Sequence, residues 1–400
     1  MSTEDELHLA VALDGAGWHP AAWRADDAEP SRLFAPGYWA DLVRNAEQGL
    51  LDFVTIEDSL AALPVRRGAV QTGTEHVRGR LDAVLIASRV APVTDSVGLI
   101  PSVTTTHTEP FHISKAVATL DFVSLGRAGL QARVSPTAIE ARQFGRRVIP
   151  QFDRGSSAGS PPPAPVVELF EEAADFIEVV RRLWDSWEDD AEIRDVTTGR
   201  FIDRDKLHYI DFAGRFFSVK GPSITPRPPQ GQPPVAVLAH VPVAFRLAAR
   251  SADIVFITPQ STDDLRRLVG TVRTYENDAH REGEPLRVVA DMVVFLDADG
   301  EVARARWAHL DSLYGRPFRS DALMFAGTPQ ELADLMVEWR AGGIDGFRLR
   351  PGAIPHDLDA ITHELVPVIQ GSMGFRSRYA EGTLRERMGL PRPHNRFAAA

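Results

Sequence analysis

Several residue types and patterns that would narrow the function are missing from this chain. None of its 400 residues is cysteine, which excludes disulfide bonds, thiolate zinc sites and cysteine nucleophiles. Basic residues are not in excess, because 44 Lys and Arg stand against 55 Asp and Glu, for a formal net charge of −11. Proteins that bind nucleic acid or anionic membranes need a cationic surface, so neither is an expected partner.

Membrane-targeting patterns are missing as well. No apolar run approaches the length of a membrane span, and the first residues, "MSTEDELHLA", are acidic where a signal peptide would be basic and then apolar. These features predict a soluble protein of the cytoplasm that acts on a small molecule.

Short β-rich runs alternate with longer helical patterns along the chain. Eight runs read as strands, at residues 7–13, 52–56, 97–101, 128–134, 235–239, 253–257, 288–296 and 346–349. Nine segments read as helices, at 37–48, 82–90, 111–124, 166–187, 243–250, 263–282, 302–313, 329–341 and 358–369. Eight strand–helix repeats in one chain predict a parallel sheet that closes into a TIM-like (β/α)8 barrel of the α/β class.

Three stretches depart from this alternation within what we expect to be a single domain, 1–400. Residues of about 135–165, rich in Gly, Ser and Pro towards their end, and residues of about 188–234 are predicted insertions over the C-terminal mouth of the barrel. The basic tail, 371–400, is expected to pack on the surface or on a partner subunit.

Polar residues follow the predicted strands at the end where barrel enzymes carry their chemistry. Asp58 follows the second strand, and "SVTTTHTEPFH", which includes Thr104 and His107, follows the third. Simpler interpretations stay open: Asp58 could cap a turn, and the threonines could reflect β propensity. His107 and His112 lack further ligands at metal-binding spacing, so no metal site is expected. His19, in an aromatic loop, is either a packed histidine or part of a substrate pocket.

The motifs "LHLAVALDGAGWHPAAWR", "GLLDFVTIEDSL", "TEPFHISKAVATLDFVSLGRAG", "LWDSW" and "RPPQGQP" identify a family resemblance. In this order, over about residues 7–391, the chain resembles the bacterial luciferase-like flavin monooxygenases, and among them the nitrilotriacetate and dibenzothiophene-sulfone monooxygenase branch. The resemblance implies a TIM-like barrel that receives reduced FMN from a separate flavin reductase. With molecular oxygen it would oxygenate a small organic substrate, and a homodimer or homotetramer is expected.

The resemblance also implies site residues, although it assigns no catalytic acid or base. Asp58 and Thr104 match positions that contact the flavin. Trp18, His19 and His107 are expected on the substrate side. The remaining cofactor-binding candidates, which lie at or beside positions where this chain departs from the family, are Gln131, Arg133, His240 and Val241.

The departures concern the flavin anchors. Leu130 and Gln131 stand where the family has Trp-Asn, Val166 and Phe170 replace a His and a Tyr that bind FMN, and Val241 and Pro242 replace phosphate-binding serines. Proline has no N–H to donate to a phosphate. The candidates to hold the phosphate instead are Arg133, His240, Arg246 and the "RGSS" loop at 154–157.

Two alternative functions follow from these departures. One is hydride transfer with a deazaflavin, whose longer anionic tail asks for more cationic contacts. The other is a relative that binds a flavin or another ligand without turnover.

Overall fold

Nine parallel strands form the main sheet of the computed structural model, which describes residues 6–61, 65–66, 69–70, 74–150 and 162–398. Continuous runs of Val, Ile, Leu and Ala build them, because a parallel strand is buried on both faces. The strands are β1 His8–Leu13, β2 Phe53–Ile56, β3 Gly98–Thr104, β4 Leu130–Arg133, β5 Val235–Leu238, β6 Ile254–Ile257, β7 Arg287–Leu296, β8 Leu323–Gly327 and β9 Gly346–Pro351.

Eight of these strands close into a barrel. Their order is β6-β5-β4-β3-β2-β1-β9-β7, and pairing of β6 with β7 completes the ring. The predicted barrel and all eight predicted strands are confirmed. The unpredicted strand β8 pairs with the outer half of β7, where β7 extends past β6.

Helices follow the strands in the expected alternation. They are α1 Pro36–Gln48, α2 Ala83–Val90, α3 Pro110–Val123, α4 Ala138–Phe144, α5 Ala164–Asp185, α6 Pro242–Ser251, α7 Thr262–Asp278, α8 Gly300–Tyr314, α9 Pro329–Arg340, α10 His356–Ala360, α11 Val366–Met373 and α12 Leu384–Arg387. A π-helical turn, Ile361–Leu365, joins α10 to α11. Among the described residues, no helix combines the length and apolarity needed to cross a membrane.

The predicted insertions contain short elements. Helix α4 lies in the first, whose "RGSS" loop falls outside the described residues. The second holds two hairpins, Glu192–Asp195 with Arg200–Ile202 and Phe212–Ala213 with Ser218–Val219. A further hairpin, Val65–Arg66 with Ala69–Val70, follows β2.

The barrel interior changes from apolar to polar along the strands. Alternate residues of a strand point to the same side, so positions two apart share the interior. In β2, buried Phe53 is followed two residues later by Thr55, and in β3 Ile100 is followed by Ser102. The N-terminal half of the barrel is therefore an apolar core, and the polar residues gather towards the C-terminal mouth.

The C-terminal tail closes the apolar end of the barrel. Leu384, Met388 and Leu390 are buried in one cluster with the lowest interior residues of the strands. Arg385 donates to Asp253, which precedes β6, at 3.2 Å. The expectation that the tail lies on the surface or on a partner subunit is therefore corrected, because its apolar residues cover the open end of the barrel and its arginine is paired.

We expect Leu384→Ala to lower the free energy of unfolding by about 2–5 kcal/mol, because it opens a cavity in this cluster. Leu85→Ala is the matched control, since Leu85 on α2 is 69 % exposed. Urea unfolding followed by circular dichroism measures both. Equal midpoints for the two variants would show that the tail does not stabilise the barrel.

Candidate active site

A buried network of charged residues forms the floor of the barrel mouth. Arg348 in β9 donates two hydrogen bonds to Asp291 in β7, at 2.7 and 2.5 Å. Its third nitrogen donates to the side chain of Gln131 in β4 at 2.7 Å, and its guanidinium lies 3.7 Å above the ring of Phe256. Glu57, which directly follows β2, accepts a longer bond from Arg348 at 3.4 Å. The network thus joins four strands of the barrel.

Arg350 extends this network towards the outside. It shares Asp291 with Arg348 and donates to Asp321, which precedes β8, at 2.7 Å. Burial acts to raise the pKa of Asp321, but the charge of Arg350 outweighs it and lowers the pKa to about 2. The guanidinium of Arg350 also lies 4.3 Å from the ring of Trp18, and so supports one wall of the mouth.

Sequence reasoning missed this network, although a signal was present. Asp291 interrupts the apolar run "VVADMVVFL", and Arg348 and Arg350 alternate in "GFRLRP". Residues at alternate positions of a strand point to the same side, so Arg348 and Arg350 share one face of a buried strand. Buried charges need a partner of opposite sign, which Asp291 on a neighbouring strand supplies.

A second polar chain ties the ends of β2, β3 and β4 to helix α4. Arg133 donates to the hydroxyl of Thr104 at 3.1 Å and to the carboxylate of Glu140 at 3.0 Å. The same carboxylate oxygen accepts from the hydroxyl of Ser59 at 3.0 Å. Burial acts to raise the pKa of Glu140, but Arg133 and these hydrogen bonds keep it below its usual value, so Glu140 is ionised.

A cavity of about 400 Å³ opens beside the second network, whose Ser59, Arg133 and Glu140 line it, and we call it the mouth cavity. Its position at the carboxyl ends of the strands is the one that barrel enzymes use. Its walls come mostly from the loops after β1 and β2 and from the start of α4. Its aromatic and charged lining residues are Asp14, Trp18, His19, Trp23, Phe34, Trp39, His76, Arg80, Arg133 and Glu140.

Three of the predicted site residues line the mouth cavity, namely Trp18, His19 and Arg133. His19 is nevertheless bonded on both ring nitrogens. The N–H of Ala21 donates to Nδ1 at 3.1 Å, so Nε2 carries the proton and donates to Asp311 at 3.1 Å. Burial lowers the pKa of His19, against the opposing effect of Asp311. His19 is therefore a neutral ring with no free nitrogen, fully buried in the wall of the cavity.

Four further candidates lie behind the cavity lining. Asp58 accepts hydrogen bonds from the backbone N–H groups of Ser59 and of Ala83, the first residue of α2. Both of its carboxylate oxygens are therefore bonded to the backbone. Burial raises the pKa of Asp58. The amide of Gln131 and the hydroxyl of Thr104 bond to the arginines described above. His107 is buried, its ring stacks on Phe144 at 5.1 Å, and its Nε2 has no hydrogen-bond partner.

The last two cofactor candidates lie elsewhere at the mouth. His240 is exposed after β5, and its charge contributes to the lowered pKa of Asp321. Val241 is the half-buried residue before α6, and Pro242 begins that helix. The structure therefore does not bring His240 and Val241 into the lining of the mouth cavity. The described residues contain no cluster of His, Asp and Glu that could hold a metal ion.

We expect Asp291→Asn to lower the free energy of unfolding by about 3–5 kcal/mol, because it leaves two buried arginines without their shared carboxylate. Asp263→Asn is the control, since the Asp263 side chain is 95 % exposed and pairs with Arg266 on its own helix. Chemical denaturation of both variants measures the difference. A loss no larger than that of the control would show that Asp291 does not hold the floor.

The lowered pKa of His19 predicts a pH dependence of stability. The unfolded chain protonates His19 near its ordinary value of 6.5, whereas the folded protein keeps it neutral, so stability falls as the pH drops below 6.5. This decrease ends once the pH passes the folded pKa. His19→Gln should make the free energy of unfolding less steep between pH 6.5 and 5 than it is in the unmodified protein. Identical slopes would contradict the neutral, doubly bonded state.

Comparison with known proteins places the chain in one family. The family model described as luciferase-like monooxygenase matches residues 16–319. The N-acetyl-S-(2-succino)cysteine monooxygenase of Bacillus subtilis (strain 168) is 28 % identical, over 99 % of each chain. Component A of the nitrilotriacetate monooxygenase of Aminobacter aminovorans is also 28 % identical, over 100 % of this chain and 99 % of that one.

A solved structure shows the same fold at lower identity. It is that of a long-chain alkane monooxygenase, with a TM-score of 0.83 and 22 % identity, over 96 % of this chain and 95 % of that one. The family and the branch expected from the sequence motifs are thereby confirmed. The chain belongs to the luciferase-like monooxygenase family.

Proposed function

We propose that the protein is a flavin-dependent monooxygenase of a two-component system. It would take reduced FMN from a separate flavin reductase and use molecular oxygen to oxygenate a small organic substrate. The observation that carries the proposal is a cavity at the carboxyl ends of the barrel strands in a chain of the luciferase-like monooxygenase family. The relative named as a component A supports the two-component arrangement.

The Arg133 edge of the mouth cavity suits the ring system of a flavin, and the indole-lined part beside it remains for the organic substrate. A bound reduced flavin would itself react with molecular oxygen. The protein therefore has to bind and orient the flavin and to exclude water from the site. Arg133 can orient the ring, because a guanidinium carries five N–H donors and its described bonds to Thr104 and Glu140 leave others available. Its side chain is 31 % exposed, so these donors are accessible from the cavity. Apolar indole walls exclude water.

The positions implied for the flavin phosphate do not suit a dianion. Val166 and Phe170 on α5 and Val241 and Pro242 at the start of α6 carry no polar side-chain atom. A phosphate without donors or cations is held poorly. We therefore propose that the ring provides most of the flavin affinity and that the phosphate is held loosely by groups such as exposed His240 and Arg246. Loose binding suits a flavin that arrives reduced from another protein.

The described charges favour FMN over a deazaflavin. A deazaflavin has the longer anionic tail, which needs additional cations. Arg80 and Arg133, the described arginines of the cavity lining, already pair with Asp14 at 2.7 Å and with Glu140 at 3.0 Å. Binding without turnover is the remaining alternative, and a delay between oxygen uptake and the appearance of oxidised flavin separates the proposal from it.

The test is an anaerobic titration of the purified protein with reduced FMN, followed by addition of oxygen and measurement of both oxygen uptake and the appearance of oxidised flavin, which we expect to lag behind the uptake. We expect saturable binding, and we expect Arg133→Ala to weaken it about tenfold, or ~1.4 kcal/mol, because a donor to the ring is lost. The control is Arg142→Ala, an exposed arginine of α4 outside the cavity lining. Thermal unfolding of each variant verifies that it is folded.

The outcomes are distinct. No binding of reduced FMN by the unmodified protein would overturn the proposal. Binding with oxidised flavin appearing as fast as oxygen is consumed, as it does with free reduced FMN, would assign the chain to the non-catalytic alternative. Unchanged affinity in Arg133→Ala would remove Arg133 from the flavin site and leave the proposal itself standing on the unmodified protein.

A further inference from the structure

We propose that the mouth cavity selects an uncharged, flat aromatic molecule as its organic ligand. The inference rests on the proposed function in one respect: that function makes this ligand the substrate to be oxygenated. Three features of the cavity carry it, namely its aromatic walls, its internally paired charges and its size.

The aromatic walls present carbon rather than polar atoms. Trp18, Trp23 and Trp39 line the cavity, and each indole N–H is already donated to a backbone carbonyl. The acceptors are the carbonyls of Ala12 at 3.0 Å for Trp18, Glu75 at 3.1 Å for Trp23 and Leu33 at 3.1 Å for Trp39. A ligand therefore meets ring faces and edges, which favour stacked or edge-to-face contact with another aromatic ring.

His19 adds to the same apolar character. Both of its nitrogens are bonded within the protein, and burial keeps it neutral, as described above. Its ring lies edge-on to Phe295, Tyr314 and Phe318 at 5.1 to 6.3 Å, which fixes its orientation. The ring is fully buried in the wall, so it supports the aromatic lining and offers a ligand no hydrogen bond.

The described charges of the lining are already neutralised. Arg80 is paired with Asp14 at 2.7 Å and also donates to the carbonyl of Glu57 at 2.9 Å. Arg133 is paired with Glu140. A carboxylate ligand that accepted the remaining N–H donors of Arg133 would lie close to the ionised carboxylate of Glu140, and repulsion between the two opposes its binding. An uncharged ligand avoids this repulsion and the cost of desolvating a carboxylate.

The size of the cavity agrees with a small ligand. About 400 Å³ lies in the range of small-molecule sites, which are mostly apolar with few polar groups. A flexible chain would lose more rotational freedom on binding than a rigid ring system does. A fused ring system of two or three rings is the chemistry that these walls favour.

The test uses three probes of nearly the same shape on the unmodified protein, without flavin. They are 2-naphthamide, which is uncharged and aromatic, 2-naphthoate, which is anionic, and decahydronaphthalene-2-carboxamide, which is uncharged and saturated. Calorimetric titration at pH 8 measures their affinities. We expect 2-naphthamide to bind at least tenfold more tightly than 2-naphthoate and several-fold more tightly than the saturated amide.

Two tryptophan variants test whether 2-naphthamide binds in the mouth cavity. Trp23→Leu should weaken 2-naphthamide at least fivefold. The control is Trp187→Leu, because Trp187 is also half-buried and also donates its indole N–H to a backbone carbonyl, that of Ser223, but does not line the cavity. The probe ranking requires no variant, so it stays decisive if Trp23→Leu does not fold.

Equal or tighter binding of 2-naphthoate would contradict the proposal that the ligand is uncharged. Equal binding of the saturated amide would contradict the proposal that it is aromatic. Loss of affinity in Trp187→Leu but not in Trp23→Leu would place the ligand elsewhere. Because no flavin or oxygen is present, probe binding succeeds or fails independently of the binding and reoxidation of reduced FMN, which test the proposed function.

Discussion

The ion pairs of Asp291 with Arg348 and Arg350 are the constraint on which the upper half of the barrel depends. A charge inside a barrel is costly unless it is paired and hydrogen-bonded. One carboxylate between two guanidinium groups leaves positive charge uncompensated, and Glu57 and Asp321 supply the missing negative charge from opposite sides. Strands β2, β7 and β9 and the loop before β8 are thereby held in one arrangement. The mouth has a rigid polar floor in place of an open channel.

Below that floor the barrel interior is packed with apolar side chains. This difference between an apolar and a charged half explains how much of the fold the sequence predicts. Parallel strands buried on both faces are continuous apolar runs, so the runs ending at Leu13 and Ile56 could be recognised without any long-range information. Strand β8 was not recognised, because "LMFAG" is short and its pairing depends on β7 extending past β6. The buried position of Leu384 was missed because the basic residues around it indicated an exposed tail.

The site is less predictable because its important contacts join residues distant in sequence. The resemblance indicates Asp58, yet its carboxylate holds backbone N–H groups, whereas its neighbour Glu57 faces the charged floor. The sequence predicts Arg133 as a cofactor-binding residue, and it does line the cavity. Its partner Glu140 is not predicted, since α4 lies in a segment expected only as an insertion. The two residues are seven apart, on either side of the loop between β4 and α4, and such a pairing leaves no periodic signal in the sequence.

Charge pairing also determines what the mouth can recognise. An arginine without an acidic partner attracts anions and keeps water in the site, whereas an arginine paired with an acidic side chain does neither. In the described lining, Arg80 and Arg133 are of the second kind, and the indoles and His19 direct their polar atoms into the protein. Selection then rests on shape and aromatic contact, with few polar atoms left to hold water. A site built in this way favours oxygen chemistry that needs a dry environment, since most of the described polar groups of its lining are bonded within the protein before any ligand arrives.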